Sequence, residues 1–266
     1  MSAKSYLANQ INKVLNLFGA KLVSKSYFRD WPSFFVYIKS RGVLPKIVID
    51  VGVATDTMQL YKAFPKAKLL LVEPCVEFKE SLERLKIEYD VDYVLAAAGA
   101  SSGTMKMMVS KELGGSSFFK PREMEAGYVD MVPRTVPVVT LDELWSERQY
   151  DGPAILKVDV QGGELEVLKG AKNVLMHCEL VILETMLVDQ YIGAPILYDY
   201  IVFMKAREFV LFDVIGVGFT PASGVIGYLD LVFTKEASQL RDDKRWLTKE
   251  QAKKIPLHYK GVSRKN

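Results

Sequence analysis

The sequence predicts a doubly wound α/β fold, in which helices cover both faces of a mostly parallel sheet of seven strands. The chain has seven short apolar runs of strand length, at residues 47–50, 68–73, 93–98, 154–159, 180–184, 209–213 and 229–233. Segments with helix signals separate the first six runs, and this alternation is typical of parallel strands joined by helical crossovers. The last two runs have no helix-length insert between them, so the final strand is expected to be antiparallel.

The helices are predicted from their start and stop signals. Pro32 suits a first helical turn, and Pro45 ends the segment that follows it. Thr140 and Glu143 have the spacing of a capping box, which predicts a helix start at that point. Apolar spacing and flanking prolines or glycines predict further helices at residues 57–64, 76–87, 164–175 and 198–208.

Additional segments depart from the alternation. Residues 104–109 are predicted to form an added strand, and residues 135–139 an edge strand, because Pro137 cannot donate a ladder hydrogen bond. The irregular stretch at 110–134 is long enough to be either a functional loop or a disordered one. Residues 216–227 are rich in glycine and are predicted to form a loop before the last strand.

The net charge of +3 conceals a segregation of charge along the chain. The formal charges are +7, −10 and +6 for residues 1–46, 47–240 and 241–266 respectively. The predicted organisation is a basic helical N-terminal extension, an α/β domain and a basic C-terminal tail, at residues 1–45, 46–237 and 238–266. Basic ends on an acidic core suit an anionic partner such as a membrane, an acidic glycan or RNA, or they are simply solvated.

Residues 3–30 carry apolar positions at helical spacing with lysines between them. This predicts a basic amphipathic helix that covers its own domain, joins a partner such as a second copy of the chain, or makes a peripheral membrane contact. No apolar run approaches the roughly 18 residues of a membrane-spanning helix. The first ten residues have no signal-peptide core and the chain has two cysteines, so the expected location is cytoplasmic.

Three acids stand where apolar strands end, namely Asp50, Glu73 and Asp159. In a doubly wound fold, ligands bind beside these strand ends, and the acid after the second strand typically holds ribose hydroxyls. Gly52 would let the backbone approach such a ligand closely. The turn lacks the glycine pattern that holds a pyrophosphate, so a nicotinamide dehydrogenase is disfavoured. A nucleoside ligand without pyrophosphate, such as S-adenosylmethionine, is favoured; the alternative role for each acid is a strand-end cap.

Residues 157–171, KVDVQGGELEVLKGA, resemble the signature of the FkbM-type methyltransferases. Other similar segments follow in the expected order, at residues 49–52, 71–74, 97–99, 115–117, 139–143 and 183–184. The resemblance covers about residues 46–235 and implies the Rossmann-like fold of a class I methyltransferase. It further implies S-adenosylmethionine as the cofactor and a hydroxyl oxygen of a sugar or natural product as the methylated group.

The resemblance also assigns roles to individual residues. The implied cofactor contacts are Asp50 and Gly52 at the methionine part, Glu73 at the ribose, Ala97 and Ala98 at the adenine, and Ser116, Ser117 and Asp159 nearby. Asp159 is the first candidate for the general base and Glu184 the second, because Glu184 ends the next strand.

Asp56 departs from the family pattern, which has glycine at this position. Its carboxylate either crowds the carboxylate of the cofactor or caps the following helix. Residues 189–195 are predicted to contribute to the acceptor pocket, where Tyr191 would either stack on a sugar ring or simply pack in the core.

The sequence therefore predicts an O-methyltransferase for a sugar, glycan or polyhydroxylated small molecule. One alternative is an RNA methyltransferase, favoured by the basic ends. The other is a non-catalytic binding protein on the same fold, favoured by the carboxylate of Asp56.

Overall fold

A computed structural model describes residues 29–111, 113–122 and 131–245, together with residues 10, 11, 13–15, 17, 248 and 250. The predicted amphipathic helix at residues 3–30 falls largely outside these described residues. The same holds for most of the predicted basic tail and for the part of the long loop at residues 123–130.

The main sheet has seven strands in the order β3-β2-β1-β7-β8-β10-β9. Their bounds are β1 Ile47–Val51, β2 Lys68–Val72, β3 Val91–Val94, β7 Ala154–Val158, β8 Cys178–Met186, β9 Phe209–Phe219 and β10 Ile226–Lys235. Parallel pairs join the first five strands in the order, and β10 runs antiparallel to both β8 and β9. The predicted seven-stranded sheet with an antiparallel last strand is confirmed.

Helices pack on both faces of this sheet. Their bounds are α1 Trp31–Ser40, α2 Met58–Ala63, α3 Lys79–Leu85, α4 Leu141–Glu147, α5 Glu164–Lys169, α6 Lys172–His177 and α7 Leu197–Lys205, with short 3₁₀ turns at Val76–Phe78 and Gln239–Arg241. Strand residues alternate between two buried clusters. Ile49 faces the cluster with α4 to α7, and Val48 the cluster with α1 to α3.

α1 belongs to the core of the sheet. Asp30 caps it by accepting a hydrogen bond from the Ser33 amide. The fully buried Phe34 packs in the same hydrophobic cluster as Val48 of β1. α1 therefore stabilises the main sheet, although its sequence lies within the predicted N-terminal extension. Its N-terminal residue, Trp31, lies near the carboxyl edge of the sheet, where the predicted site is located.

The third predicted strand, at residues 93–98, is wrong in its second half. The chain leaves the main sheet after β3, and residues Ala97–Ala98 form β4 of a second, three-stranded sheet in the order β4-β6-β5. β5 is Gly103–Val109 and β6 is Val132–Val139. β6 is the central strand rather than the predicted edge, because the short β4 pairs with only Val138 and Val139 and leaves Pro137 beyond its end.

The single helix predicted at residues 164–175 is two helices, α5 and α6, that meet at Gly170. A Cβ atom at Gly170 would lie 2.1 Å from the carbonyl oxygen of Gly99, so only glycine allows this close approach. The Gly170 carbonyl accepts a hydrogen bond from Asp142 at the start of α4, which turns it away from the helix. The interruption thus lies where the helix pair passes close to Gly99, which follows β4 of the second sheet.

Half of the predicted loop at residues 216–227 is strand. β9 extends to Phe219 and β10 begins at Ile226, so only a short turn joins them. Gly216 lies opposite Asp230 in this pair, and a Cβ atom there would lie 1.9 Å from an Asp230 carboxylate oxygen. The glycine reflects a close side-chain approach within a strand rather than a loop. Among the described helices, none combines the length and apolar character needed to cross a membrane.

Candidate active site

The carboxyl ends of β1, β2 and β7 lie side by side, because Val51 is in register with both Val72 and Val158. The residues that follow these strands border an open cavity of about 540 Å³, here named the β2-side cavity. Its lining includes Gly52, Glu73, Cys75, Phe78, Ala97, Ala98, Met107, Ser116, Ser117 and Asp159.

Gly52 has a positive φ of 77°, and its missing side chain is a structural requirement. A Cβ atom there would lie 1.8 Å from the backbone oxygen of Asp159. The Gly52 amide donates to the Val72 carbonyl, and the Gly52 carbonyl accepts from the Lys157 ammonium. The glycine therefore lets β1 and β7 close against each other at the cavity floor, in addition to any close approach of a ligand.

Glu73 is 4% exposed, and its carboxylate organises the turns around the cavity. One carboxylate oxygen accepts from the Ala54 amide at 2.9 Å, and the other from the Cys75 amide at 2.8 Å. Burial raises the pKa of Glu73, and these two amides partly offset that effect. A carboxylate has about four acceptor positions, so the two amides leave acceptor capacity for a ligand.

The second sheet forms the opposite wall of the β2-side cavity. Ala97 and Ala98 are buried in β4, where their small side chains leave room beside the carboxyl edge of β2. Ser117 pairs through its backbone with Met108 of β5, and its hydroxyl donates to the Gln161 carbonyl at 2.6 Å. The Ser116 hydroxyl donates to the Leu113 carbonyl. Ser117 therefore anchors the described part of the loop to the turn after β7, whereas Ser116 holds the loop itself together.

Asp50 does not line the cavity. It is completely buried beneath the floor, where it accepts a hydrogen bond of 2.5 Å from the Tyr61 hydroxyl and lies 3.2 Å from the Lys157 ammonium. Lys157 also lies 3.5 Å from the Asp159 carboxylate. Burial opposes the charge of Lys157, but Asp50 and Asp159 outweigh it and raise the lysine pKa above its usual value.

A second cavity of about 900 Å³, here named the β8-side cavity, opens on the other side of Asp159. Residues that belong to this cavity alone include Trp31, Asp56, Thr57, Lys157, Glu184, Tyr228 and Asp230. The two cavities share Gly52, Ala54, Gly114, Asp159 and Gln161. The two cavities therefore meet at Asp159, whose side chain is 30% exposed.

Gln161 connects the acids at this junction. Its amide nitrogen donates to Asp159 at 3.0 Å and to Glu184 at 2.9 Å, and its amide oxygen accepts from the Tyr191 hydroxyl at 3.2 Å. The turn that carries Gln161 is held by Glu164, which accepts from the amides of Val160 and Gly162.

The acids of the β8-side cavity perturb one another. Burial, then the negative charges of Asp159, Asp230 and Glu164, raise the pKa of Glu184 to about 8. Burial also raises the pKa of Asp230, although the Trp31 indole donates to its carboxylate at 2.8 Å. At neutral pH, Glu184 is therefore largely protonated, and its carboxyl group can donate as well as accept.

Two further sequence predictions concern residues near the cavities. Asp56 lines the β8-side cavity rather than the β2-side cavity, and its carboxylate accepts from the Met58 amide at the start of α2. Tyr191 is 1% exposed and is engaged with Gln161, which matches core packing rather than stacking on a ligand.

Sequence reasoning missed four residues of the junction. Lys157 and Gln161 stand within the recognised signature, so their position two residues either side of Asp159 was an available signal. Trp31 and Asp230 carried no local signal, because they come together only when α1 packs beside the antiparallel β10.

A model of the methyltransferase FkbM domain matches residues 46–211, which is more than half of the chain. The chain belongs to the FkbM methyltransferase family. The match includes the three strand ends at the β2-side cavity and the junction residues up to Glu184. The predicted family and the class I methyltransferase fold are thus confirmed.

Two relatives share parts of the sequence. The methyltransferase sdnD of Sordaria araneosa is 28% identical over 164 residues, covering 50% of this chain and 62% of the relative. The hexuronic acid methyltransferase AglP of Haloferax volcanii is 44% identical over 50 residues, covering 19% of this chain and 21% of the relative. The chain therefore spans less than two thirds of either relative.

Solved structures of similar fold are distant. Magnesium protoporphyrin IX methyltransferase from Synechocystis PCC 6803 has a TM-score of 0.40 and 11% identity, covering 88% of this chain and 98% of that one. Precorrin-6y C5,15-methyltransferase from Geobacter metallireducens has a TM-score of 0.39 and 11% identity, covering 76% and 87%. At these values the likeness carries no argument about function.

Proposed function

We propose that this protein is an S-adenosylmethionine-dependent O-methyltransferase that acts on a hydroxyl group of a sugar, glycan or polyhydroxylated small molecule. The observation that carries the proposal is the meeting of two cavities at Asp159. Group transfer between two bound molecules requires such a meeting, because the reacting atoms must be held close together and aligned.

The β2-side cavity has the features that a nucleoside cofactor needs. Glu73 offers its remaining acceptor positions to ribose hydroxyls, while Ala97, Ala98 and Phe78 provide an apolar surface for a flat base. Asp50 lies below the floor, so its part in our proposal is to hold Lys157 rather than to touch the cofactor. When bound, S-adenosylmethionine supplies a methyl group on a positively charged sulfur.

The β8-side cavity is the proposed acceptor site. Asp159 faces both cavities, and we assign it as the general base that takes the proton lost by the acceptor hydroxyl as its oxygen is methylated. Glu184, largely protonated at neutral pH, is the second acid and is assigned to hydrogen-bond the acceptor. Trp31 and Tyr228 offer aromatic surface on which a sugar ring can pack.

The charge of the β8-side cavity favours neutral acceptors. Asp56, Asp159 and Asp230 border it, and its lysine is already engaged with Asp50 and Asp159. A phosphate or carboxylate placed beside these groups meets like charge, which costs several kcal/mol in close contact. The negative charge of the cavity therefore disfavours RNA as the acceptor. It likewise disfavours an anionic sugar such as the hexuronic acid in the name of the relative AglP.

Cofactor binding tests the first half of the proposal. Calorimetric titration with S-adenosylmethionine should show one site on the parent protein. Glu73→Gln should weaken it by about 10- to 100-fold, as expected for lost hydrogen bonds to a charged group. Glu80→Gln, on the exposed face of α3, is the matched control and should bind like the parent. A parent protein that binds no cofactor would refute the proposed function.

Labelled methyl transfer tests the acceptor class. Each hexose glycoside of a panel is offered beside its matching hexuronic acid, and total RNA is offered separately. We expect kcat/KM to be higher for the neutral sugar by about tenfold or more. Preference for the hexuronic acid would contradict the neutral acceptor while leaving methyl transfer intact. Salt-sensitive labelling of RNA alone would establish the RNA alternative.

A further inference from the structure

The side chain of Gln161 is placed between the two acids of the proposed reaction site. Its amide nitrogen lies within hydrogen-bond distance of Asp159 and of Glu184, at 3.0 and 2.9 Å. A primary amide has two N–H donors, so each acid receives one. The side chain also borders both cavities and thus stands where the two bound molecules meet.

The orientation of this amide is determined by its neighbours. Its oxygen accepts from the Tyr191 hydroxyl at 3.2 Å. Exchanging the oxygen and nitrogen would direct the amide oxygen at Asp159, and a carboxylate there accepts and cannot donate. The observed arrangement satisfies the Asp159 carboxylate, and Tyr191 holds the amide from the side opposite the acids.

The backbone of Gln161 is fixed as firmly as its side chain. Its φ of 55° is in the left-handed region, which a residue with a side chain adopts only when surrounding contacts hold it there. The Gln161 carbonyl accepts from the Ser117 hydroxyl, and Glu164 binds the amides on either side of the residue. The strained conformation directs the side chain toward β8.

We propose that Gln161 is a positioning residue that fixes the orientation of Asp159 and Glu184 for methyl transfer. Asp159 is held from two sides, with Gln161 at one carboxylate oxygen and Lys157 at the other. Glu184 receives the second N–H of the same amide. The amide thereby fixes the two acids relative to each other, and its loss removes this shared constraint from both side chains. This inference rests on the proposed function of the site.

The titration of Glu184 reports on this contact directly. The hydrogen bond from Gln161 lowers a pKa that burial and nearby acids raise to about 8. The other ionisable groups that face Glu184 from neighbouring elements are Asp159, Glu164, Asp230, Lys157, Tyr200 and Tyr228. Removing the amide leaves these groups in place, so the direction of the change is determined.

The experiment compares Gln161→Met with Gln149→Met in the full chain. Methionine keeps the length of the side chain and removes both donors. Gln149 has a φ of 53° in a turn after α4, so its variant controls for methionine in the same strained conformation. Carbon NMR of the Glu184 carboxyl should show its pKa raised by about 1 in Gln161→Met and unchanged in Gln149→Met.

Kinetics provide the second measurement. With an acceptor that the parent protein methylates, Gln161→Met should lower kcat by about 10- to 100-fold, because misplaced groups affect the transition state most. The affinity for the cofactor should stay within about twofold of the parent value. An unchanged Glu184 titration would overturn the inference, as would parental kcat. A parent that transfers no methyl group refutes the proposed function instead, and the titration still decides whether the amide acts on Glu184.

Tyr191→Phe keeps the inference testable if Gln161→Met does not fold. It removes the hydroxyl that orients the amide and leaves both donors present. The pKa of Glu184 should then rise in the same direction by a smaller amount. A pKa equal to that of the parent in this variant would show that the amide is not held by Tyr191 and would contradict the inference.

Discussion

The two cavities that meet at Asp159 are built in different ways. The β2-side cavity owes its shape to backbone turns after β1 and β2, and its buried acid, Glu73, is bonded to two backbone amides. The β8-side cavity is defined by charged and aromatic side chains from α1, β8 and β10. A site built by the backbone suits a ligand that stays the same, such as a cofactor. A site built by side chains can change its ligand, because side chains can be exchanged without changing the fold.

This difference indicates where each kind of specificity resides. The β2-side cavity should respond to changes that move the backbone, with loss of cofactor binding and of stability together. The β8-side cavity should respond to changes in charge and proton occupancy, with stability largely kept. Three predictions test this contrast, and the expected effects decrease from the first to the last.

The largest effect is expected for Gly52→Ala. The new Cβ atom would lie 1.8 Å from the Asp159 carbonyl oxygen at a φ of 77°. Together, steric overlap and backbone strain should lower the free energy of unfolding by about 3 kcal/mol or more. Chemical denaturation measures the loss, and calorimetry should show cofactor binding weakened or absent.

Gly193→Ala is the matched control for Gly52→Ala. Its φ is 76°, but no atom lies within 4 Å of the new Cβ position. It should therefore cost only the left-handed strain of about 1 kcal/mol and leave cofactor binding unchanged. Equal losses in the two variants would show that the close approach of β1 and β7 contributes nothing.

An intermediate effect is expected for Glu184→Gln, and it depends on pH. The native pKa of Glu184 is raised from 4.5 to about 8, so the native state keeps a proton that the unfolded state releases. The contribution of this group to stability is complete below about pH 4.5 and is lost as the pH rises to about 8. Glutamine removes this dependence. Relative to the parent, the variant should therefore become progressively more stable between pH 5 and pH 8.

Denaturant unfolding at several pH values measures the difference. Glu147→Gln, at the exposed end of α4, serves as the control and should follow the parent at every pH. Parallel pH profiles for Glu184→Gln and the parent would show that Glu184 is not protonated in the native state. Such profiles would also contradict our assignment of Glu184 as a proton donor in the acceptor site.

The smallest effect is expected at Asp56. Asp56→Ala removes the acceptor for the Met58 amide and should cost about 0.5–1 kcal/mol, whereas Asp56→Asn keeps an acceptor and should cost less. Both variants should keep cofactor affinity within about twofold, because Asp56 lies in the β8-side cavity. Cofactor binding that is tenfold tighter in either variant would show instead that this carboxylate repels the cofactor.

Most of the fold could be predicted from the sequence. Strand length, apolar content and helix signals are local properties, so the seven strands of the main sheet and their order of appearance could be recognised. The errors occurred where distant segments decide the outcome. Gly170 interrupts a helix because Gly99 passes beside it, and Ala97 leaves the third strand because β6 is available for pairing.

The sequence by itself determined the family and the acids at the ends of β1, β2 and β7, because both are written in short contiguous segments. Only the tertiary structure decided what those acids do. Asp50 is buried under Lys157, Asp159 stands between two cavities, and Asp230 reaches the site through the antiparallel β10. The physical reason is that exposure, proton occupancy and hydrogen-bond partners depend on groups far apart in the chain, which meet only when the sheet is assembled.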